Sequence, residues 1–271
     1  MEIEPVMPQR KGTGLRAAAA FLTFFMGVSL TLGSLCGAVG RRAIICAMQI
    51  EADGIIALSQ NTQTEEIAGM KFTTGTLNGK DIAVVVCGVG KVNAAMCAVV
   101  LIEKFNPDVV INSGVGGSLS PLVSIGDIVV ATKSVQHDMN TTALGDRQGE
   151  VSFPDGTKIF FDCDKTVVEK LTQACRALPD TKVEQGIIAS GDIFVSDRKK
   201  RKRIADTFGA LVCEMEGAAI GYVCYALKTP YGIIRAISDD LDENKGVDYE
   251  KFCKLASKKT VGAICEYLKN E

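Results

Sequence analysis

The sequence predicts one α/β domain in which helices cover both faces of a β-sheet, giving three layers. Short apolar segments of strand length alternate with helical segments over about 230 residues, and this alternation is typical of α/β folds. Hydrophobic residues make up 47% of the chain and charged residues 23%, which is the composition of a globular protein with a sizeable core. We find no internal repeat and no linker within this region.

The first half of the domain contains strand signals at 43–47, 70–77, 81–87, 108–112 and 126–131. Asn78-Gly79 separates the second and third of these segments and is a dipeptide typical of a tight hairpin turn. One helix is predicted to start at Met48. The stretch from Gly88 to Ala95 is predicted to turn sharply into a second helix that ends near Phe105. The sequence Ser-Gly-Val-Gly-Gly at 113–117 is expected to close the strand at 108–112 as a turn.

The second half begins with a mostly polar stretch, 133–161, which predicts a long functional loop. Beyond it we predict a helix at 164–177, a strand at 183–190, a strand turning into a helix at 211–220, a strand at 230–237 and a closing helix at 247–268. The domain is therefore expected to span 42–271.

Charge gives no reason to expect a nucleic-acid or acidic membrane partner, because the formal net charge is −2. The one basic cluster, 199–203 (Lys-Lys-Arg-Lys-Arg), is typical of a solvated helix face. The ten cysteines contain no CxxC pair, and His137 is the single histidine, so a zinc site of the usual kind is not expected. Most cysteines lie in apolar segments, as small core residues do in a reducing compartment.

The N-terminal extension, 1–41, differs from the rest of the chain. Residues 17–39 carry no charge, and a helix of that length would span a bilayer core. The segment is open to three interpretations: an uncleaved anchor, a signal peptide with Cys36 and Ala38 before the cut, or a start codon assigned too far upstream. We expect a cytoplasmic catalytic domain, with membrane association through 17–39 if that segment is retained.

Two acidic clusters follow predicted strands and mark a candidate site. Glu214 and Glu216 flank Met215 at a strand-to-helix corner, and a later strand runs into Ser238-Asp239-Asp240. Acidic groups at the ends of buried strands are a usual way to build an active site in an α/β sheet. The alternative for a single glutamate is a helix N-terminus that favours negative charge.

Glycine-rich stretches after two apolar strands give a second signal. Neither 88–90 nor 114–117 matches a dinucleotide fingerprint or a phosphate-binding loop. Taken together, they suggest backbone brought close to a flat or charged ligand. Phe194, which follows Gly191-Asp192, could stack on such a ligand or belong to the core.

From about Arg42 onward the chain resembles the methylthioadenosine/S-adenosylhomocysteine nucleosidases, of the nucleoside phosphorylase-like superfamily. The resemblance rests on motifs in this order: Glu51 after Ala-Met, GVGKVNAA at 88–95, NSGVGG at 112–117, His137-Asp138, ASGDIF at 189–194, CEMEGAAI at 213–220 and RAISDD at 235–240. It implies a mixed central sheet flanked by helices, a homodimer, and hydrolysis of an adenine N-glycosidic bond without metal or cofactor.

The resemblance also implies roles for three acids. Asp239 would be the general acid at adenine N7, Glu51 would be the base that orients water, and Glu216 would accept hydrogen bonds from the ribose hydroxyls. Carboxylates around an oxocarbenium-like transition state would stabilise its positive charge, as in glycosidases.

The remaining expected substrate contacts also follow from the resemblance. Phe194 would stack on adenine and Met215 would pack on the sugar, while Val89, the Val195 backbone, Gly117 and Ser238 would complete the pocket. Two positions depart from the family pattern: Asn140, where many relatives have Asp, and Leu144, where some have an aromatic that reaches the partner subunit's site. The preferred 5′ substituent therefore stays open.

Three alternatives to a nucleosidase remain at this point. A related purine nucleoside phosphorylase would need an anion site, usually built from arginines. The turn after the first strand instead contains Glu51 and no arginine. A futalosine-type or AMP hydrolase is the second alternative, and the matched motifs contain no basic cluster for a 5′-phosphate. The third is a membrane-tethered nucleoside-binding module that has lost catalysis.

Overall fold

The computed structural model describes residues 40–239 and 249–271. The N-terminal extension up to residue 39, with the apolar segment 17–39, lies outside these ranges. Asp240 and the first two residues of the predicted closing helix, 247–248, also lie outside them. Within them, no helix is both long and apolar enough to cross a bilayer.

The strands, in chain order, are β1 (Arg42–Cys46), β2 (Gln60–Ile67), β3 (Met70–Leu77), β4 (Lys80–Val86), β5 (Val109–Ser118), β6 (Ile128–Gln136), β7 (Val151–Phe153), β8 (Gly156–Lys158), β9 (Phe160–Asp162), β10 (Val183–Ser190), β11 (Ala210–Glu214) and β12 (Tyr231–Asp239). The helices are α1 (Gln49–Leu58), α2 (Lys91–Phe105), α3 (Lys165–Arg176), α4 (Arg198–Phe208), α5 (Gly217–Leu227) and α6 (Tyr249–Lys269), with a 3₁₀ turn at Thr142–Leu144.

One mixed sheet organises the domain, as expected. Its strand order is β11-β10-β6-β12-β5-β1-β4-β3-β2, with β9 paired to β6. Pairing is parallel between β1 and both β4 and β5, between β5 and β12, and between β10 and both β6 and β11. The end of β5 also pairs antiparallel with β11, where Cys213 lies opposite Gly117. That extra pairing brings the carboxyl ends of β5, β11 and β12 together.

Helices cover both faces of this sheet. A Cβ at Gly232 of β12 would lie 2.7 Å from Leu171 and Val167 of α3, so this residue faces α3. The next residue, Ile233, lies against Gly217 of α5. Because successive residues of a strand point to opposite faces, α3 and α5 lie on opposite sides of the sheet. The expected three-layer αβα arrangement is confirmed.

The core follows from this double covering. Every residue of β5 and β12 is buried, because helices cover both faces of the sheet at these strands. Each fully buried large apolar side chain contributes roughly 1.5–3 kcal/mol relative to exposure. A second, smaller cluster lies between β10, β11 and α4 and includes Val195, Ile204 and Phe208. The nine described cysteines are free and eight of them are buried, in agreement with their expected role as core residues.

Two sequence predictions need correction, and one strand was not predicted. The stretch 133–161 is not one long loop, because β6 continues to Gln136 and the short strands β7, β8 and the start of β9 follow. The glycines at 114–117 are not a turn but lie within β5, where they pair with β12. The strand that was not predicted is β2, an exposed polar edge strand paired with β3. Its residues have no buried face and therefore no hydrophobic alternation.

The basic cluster 199–203 also departs from expectation at one position. Arg201 is 5% exposed, whereas Lys202 and Arg203 are exposed. Arg201 precedes Ile204 by three residues and Phe208 by seven, and the three are the buried residues of α4. Residues at this spacing share one face of a helix, so Arg201 belongs to the inward face.

Candidate active site

The predicted acids meet at the carboxyl edge of the sheet. They line a cavity of about 80 Å³ between the ends of β1, β5, β11 and β12. The lining residues are Ala47, Met48, Glu51, Val89, Val115, Gly116, Gly117, Phe194, Cys213, Glu214, Met215, Glu216, Ser238 and Asp239. Ligand sites of α/β proteins commonly occupy this edge.

Glu51 is held rigidly at the start of α1. Its Oε2 accepts hydrogen bonds of 2.9 Å from the N–H groups of Ala47 and Met48, and its Oε1 accepts one of 3.0 Å from Val115. Burial raises the pKa of Glu51, while the charge of Arg235 and the three backbone donors act in the opposite direction. A fixed carboxylate with a raised pKa suits a general base near neutral pH.

The glycines of β5 make room for the two outer acids. A Cβ at Gly114 would lie 2.7 Å from Glu51 Oε1, and a Cβ at Gly117 would lie 2.8 Å from Asp239 Oδ2. The close approach predicted for these glycines therefore includes the protein's own carboxylates. Any side chain at either position would displace an acid.

Glu214 and Glu216 have different hydrogen-bond partners, although they are two residues apart. Glu214 accepts from the N–H groups of Glu216 at 3.0 Å and Gly217 at 2.8 Å, so it caps α5, and it also accepts from the Ser190 hydroxyl. Glu216 Oε1 accepts a 2.9 Å hydrogen bond from the Gly90 N–H across the cavity. The helix N-terminus interpretation thus applies to Glu214.

Arg235 compensates part of the negative charge of Glu214 and Glu216. Its fully buried guanidinium donates to Glu214 and to the side chain of Asn112, and Nη2 lies 3.9 Å from Glu216 Oε2. Burial and the neighbouring charge of Glu214 raise the pKa of Glu216 to about 7. Glu216 is therefore poised to lose its proton near neutral pH, which suits an acceptor for hydroxyl groups.

Asp239 closes the opposite side of the cavity. The Ser238 Oγ donates to Asp239 Oδ1 at 2.9 Å, and the guanidinium of Arg201 donates to Oδ2. Asp239 is 9% exposed. Its position opposite Glu216 and Glu51 places three carboxylates around one space.

The turn after β10 brings Phe194 to the cavity mouth, where its side chain is 59% exposed. Lys91 and Asp138 hold this turn in place. The Nζ of Lys91 lies 2.7 Å from Asp138 Oδ1, and Asp138 Oδ2 accepts a 2.8 Å hydrogen bond from the Asp192 N–H. Val195 is the one predicted contact that does not line the cavity. Its side chain lies in the small core cluster, and its carbonyl accepts from Arg201.

The structure thus brings together Glu51, Glu216 and Asp239 with five of the six other predicted contacts, which are Val89, Gly117, Phe194, Met215 and Ser238. Sequence reasoning missed the supporting residues Arg201, Cys213 and Asn112. A signal existed for Arg201, since its spacing to Ile204 and Phe208 marks the buried face of α4.

An α/β domain with an acid-lined cavity at the carboxyl edge of a mixed sheet is typical of enzymes that act on small molecules. Comparison with known proteins identifies the family. The profile described as "Phosphorylase superfamily" matches residues 41–269. The 5'-methylthioadenosine/S-adenosylhomocysteine nucleosidase of Shewanella loihica is 36% identical over 228 residues, covering 84% of this chain and 98% of the relative. The enzyme of the same name from Geobacillus thermodenitrificans is 36% identical over 229 residues, covering 84% and 96%.

Solved structures give the same result. The Neisseria meningitidis nucleosidase in complex with methylthio-immucillin-A superposes with a TM-score of 0.80 at 33% identity, covering 86% of this chain and 100% of that one. The Colwellia psychrerythraea nucleosidase in complex with adenine gives 0.79 at 30% identity, covering 85% and 95%. The chain therefore belongs to the phosphorylase superfamily and, within it, to the 5'-methylthioadenosine/S-adenosylhomocysteine nucleosidase family.

Proposed function

We propose that this protein hydrolyses the N-glycosidic bond of 5'-methylthioadenosine and S-adenosylhomocysteine, releasing adenine in methionine salvage. By the same chemistry it would accept 5'-deoxyadenosine, and the proposed reaction uses no metal or cofactor. The observation that carries the proposal is the convergence of Glu51, Glu216 and Asp239 on one cavity. Family membership supports the identity of the substrates.

Asp239 protonates the leaving group. As the bond between ribose C1′ and adenine N9 breaks, its electron pair passes into the purine, and N7 takes the proton of Asp239. Asp239 therefore has to be protonated in the substrate complex, although the neighbouring Arg201 favours its ionised form. Adenine then departs as a neutral base. Positioned acid catalysis of this kind contributes typically 10²–10⁴-fold.

Glu51 activates the attacking water. The water oxygen forms the new bond to C1′, and Glu51 accepts the proton that the water loses. The three backbone N–H groups that hold the carboxylate fix its direction before substrate binds. Such preorganisation reduces the entropic cost of reaching the transition state.

Charge stabilisation is shared by the whole site. Breaking the bond leaves positive charge on the sugar ring. Once Asp239 has given up its proton, the surrounding carboxylates outnumber the cations: Glu51, Glu214, Glu216 and Asp239 against Arg201 and Arg235. Glu216 would accept from the ribose hydroxyls as well. Electrostatic stabilisation of developing charge in a buried site is commonly the largest catalytic term.

Hydrolysis is favoured over phosphorolysis by the lining of the cavity. No lysine or arginine belongs to that lining, as formed by the described residues. Arg235 lies outside the lining and is paired with Glu214. Glu51 would repel a phosphate ion at the position that the attacking water occupies. A phosphorylase would need an unpaired cation there.

Adenine release in phosphate-free buffer tests the proposal directly. We expect stoichiometric adenine and free 5-methylthioribose from 5'-methylthioadenosine, at a rate that added phosphate does not increase. A requirement for phosphate, with formation of the sugar 1-phosphate, would refute hydrolysis.

We also propose a homodimer. Val92, Met96 and Val99 form an exposed apolar row on α2, with side chains that are 79%, 43% and 43% exposed. Leu144, which is 82% exposed, is a second candidate for a subunit contact. Analytical ultracentrifugation should give twice the chain mass, and Met96→Glu should shift it toward the monomer. A wild-type monomer at micromolar concentration would contradict this proposal.

For location, we propose that the domain works in the cytoplasm, with membrane association only if 17–39 is retained. Eight buried free thiols support a reducing compartment, because disulfides are rare there. The expected substrates also derive from S-adenosylmethionine metabolism inside the cell. Protease added to intact spheroplasts should leave the domain uncut, and its digestion from outside would refute this placement.

A further inference from the structure

Arg201 makes contacts that a basic helix residue does not ordinarily make. It belongs to the cluster 199–203, yet it is 5% exposed, and its guanidinium lies at the end of the sheet rather than in solvent. Burying a guanidinium costs free energy unless its donors are satisfied and its charge is paired. The contacts of Arg201 therefore indicate what it is for.

These contacts connect three separate parts of the candidate site. Nε donates to the Val195 carbonyl at 2.8 Å, Nη1 donates to the Ser118 carbonyl at 3.3 Å, and Nη2 donates to Asp239 Oδ2. Val195 follows Phe194 in the turn at the cavity mouth, Ser118 follows Gly117 at the end of β5, and Asp239 ends β12. One planar group thus fixes the spacing between the expected base-binding turn and the expected acid.

The geometry suits arginine and not lysine. A guanidinium presents its donors in a rigid planar fork, whereas an ammonium is a point charge on a flexible stem. Oδ1 of Asp239 accepts from Ser238 and Oδ2 accepts from Arg201, so the carboxyl group cannot rotate without breaking a hydrogen bond. Arg201 is not part of the cavity lining, so it acts from behind the carboxylate.

We infer that Arg201 is a positioning residue for the acid step: it sets the Asp239 carboxyl at a fixed distance from the base-binding turn, so that a captured purine meets the acid at N7. This inference rests on the proposed nucleosidase activity. Among the residues of the basic cluster 199–203, only Arg201 is buried, and only Arg201 is assigned a function in the site.

The test compares leaving groups. Adenine needs a proton to leave, whereas 4-nitrophenolate leaves without one, so a 4-nitrophenyl 5-methylthioriboside reports the site without the acid step. The variants are Arg201→Met and Arg201→Lys. The control is Lys202→Met on the same helix, which removes one charge from an exposed pair with Asp206.

For 5'-methylthioadenosine we expect kcat to fall about 10²-fold in Arg201→Met, the effect of misplacing a reacting group by about 1 Å. Turnover of the nitrophenyl riboside should be nearly unchanged. Arg201→Lys should remain impaired on 5'-methylthioadenosine alone, and Lys202→Met should match the wild type on both substrates. In an Asp239→Asn background, Arg201→Met should add no further loss, because both changes act through the same carboxyl.

Equal losses on the two substrates, or additive losses in the double variant, would overturn the inference and leave Arg201 a structural residue. Failure of both Arg201 variants to fold would have the same consequence. A wild-type protein that releases no adenine would refute the proposed function instead, so the two failures are distinguishable.

Discussion

Glu214 Oε2 accepts a 3.0 Å hydrogen bond from the backbone N–H of Glu216, so one acid of the pair fixes the position of the other. Glu214 meets the donors of α5 and Arg235, and Glu216 is thereby turned toward the cavity. The two acids of this short motif thus differ: Glu214 holds the helix start and Arg235, and Glu216 faces the cavity.

Glu214→Gln should destabilise the fold. Removing one partner of a buried ion pair costs about 3–5 kcal/mol, because the other charge remains buried without compensation. We expect a decrease of that order in the free energy of unfolding, measured by urea titration. Asp206→Asn, which breaks an exposed pair with Lys202, is the matched control and should change little. Unchanged stability in Glu214→Gln would show that Arg235 does not depend on Glu214.

Glu216→Gln should make the protein more stable at alkaline pH. The pKa of Glu216 is raised from 4.5 to about 7 in the folded state. Between these values the folded chain binds a proton that the unfolded chain has lost, so this group's contribution is fully present below pH 4.5 and is lost as the pH rises through 7. Each pKa unit corresponds to about 1.36 kcal/mol.

Urea titrations of Glu216→Gln and wild type at pH 4.5 and pH 8 check this expectation. The variant should gain a few kcal/mol over wild type at pH 8 and nothing at pH 4.5. Its activity should fall at the same time, because an amide is a weaker acceptor for the ribose hydroxyls. A stability difference that does not vary with pH would contradict the raised pKa.

Gly114→Ala should damage catalysis while leaving most of the fold intact. The new Cβ would lie 2.7 Å from Glu51 Oε1, so the carboxylate must move. Displacement of a reacting group by about 1 Å can cost 10²-fold in rate. The control is Gly262→Ala in α6, where the Cβ would meet only the flexible Leu178 side chain, at 3.2 Å. Wild-type kcat in Gly114→Ala would mean that Glu51 is not held as described.

Removing the N-terminal extension should leave catalysis intact. A chain that begins at Arg41 retains β1 and every residue of the cavity lining. We expect its specific activity to equal that of the full-length protein, and the full-length protein to fractionate with membranes unless 17–39 is removed or never translated. An inactive or unfolded shortened chain would contradict this prediction.

Much of the fold could be predicted from the sequence, because parallel strands buried on both faces appear as continuous apolar runs. β12 and β5 are examples, although the glycines at the end of β5 resembled a turn. Those glycines are strand residues because they pair with β12. At Gly114 and Gly117 the carboxylates of Glu51 and Asp239 leave no space for a side chain. The polar strand β2 could not be predicted, since an exposed edge has no hydrophobic period.

Glu214, Glu216 and Asp239 were also predictable as site residues, because strand ends in an α/β sheet meet at one edge. Glu51 was expected only from the family resemblance. The division of work between Glu214 and Glu216 was not predictable, since it depends on Arg235 and Ser190 from other strands. The burial of Arg201 could be inferred from its spacing to Ile204 and Phe208, but its contacts with Val195, Ser118 and Asp239 could not. Tertiary contacts decided both cases.

The central claim is that Asp239 donates the proton that releases adenine. Asparagine keeps the size of the side chain and can still accept from Ser238, but it has no acidic proton. The most direct measurement is adenine release from 5'-methylthioadenosine by Asp239→Asn, with nucleoside binding followed in parallel by calorimetry. We expect binding to persist and turnover to fall by roughly 10²–10⁴-fold. Adenine release near the wild-type rate would contradict the claim.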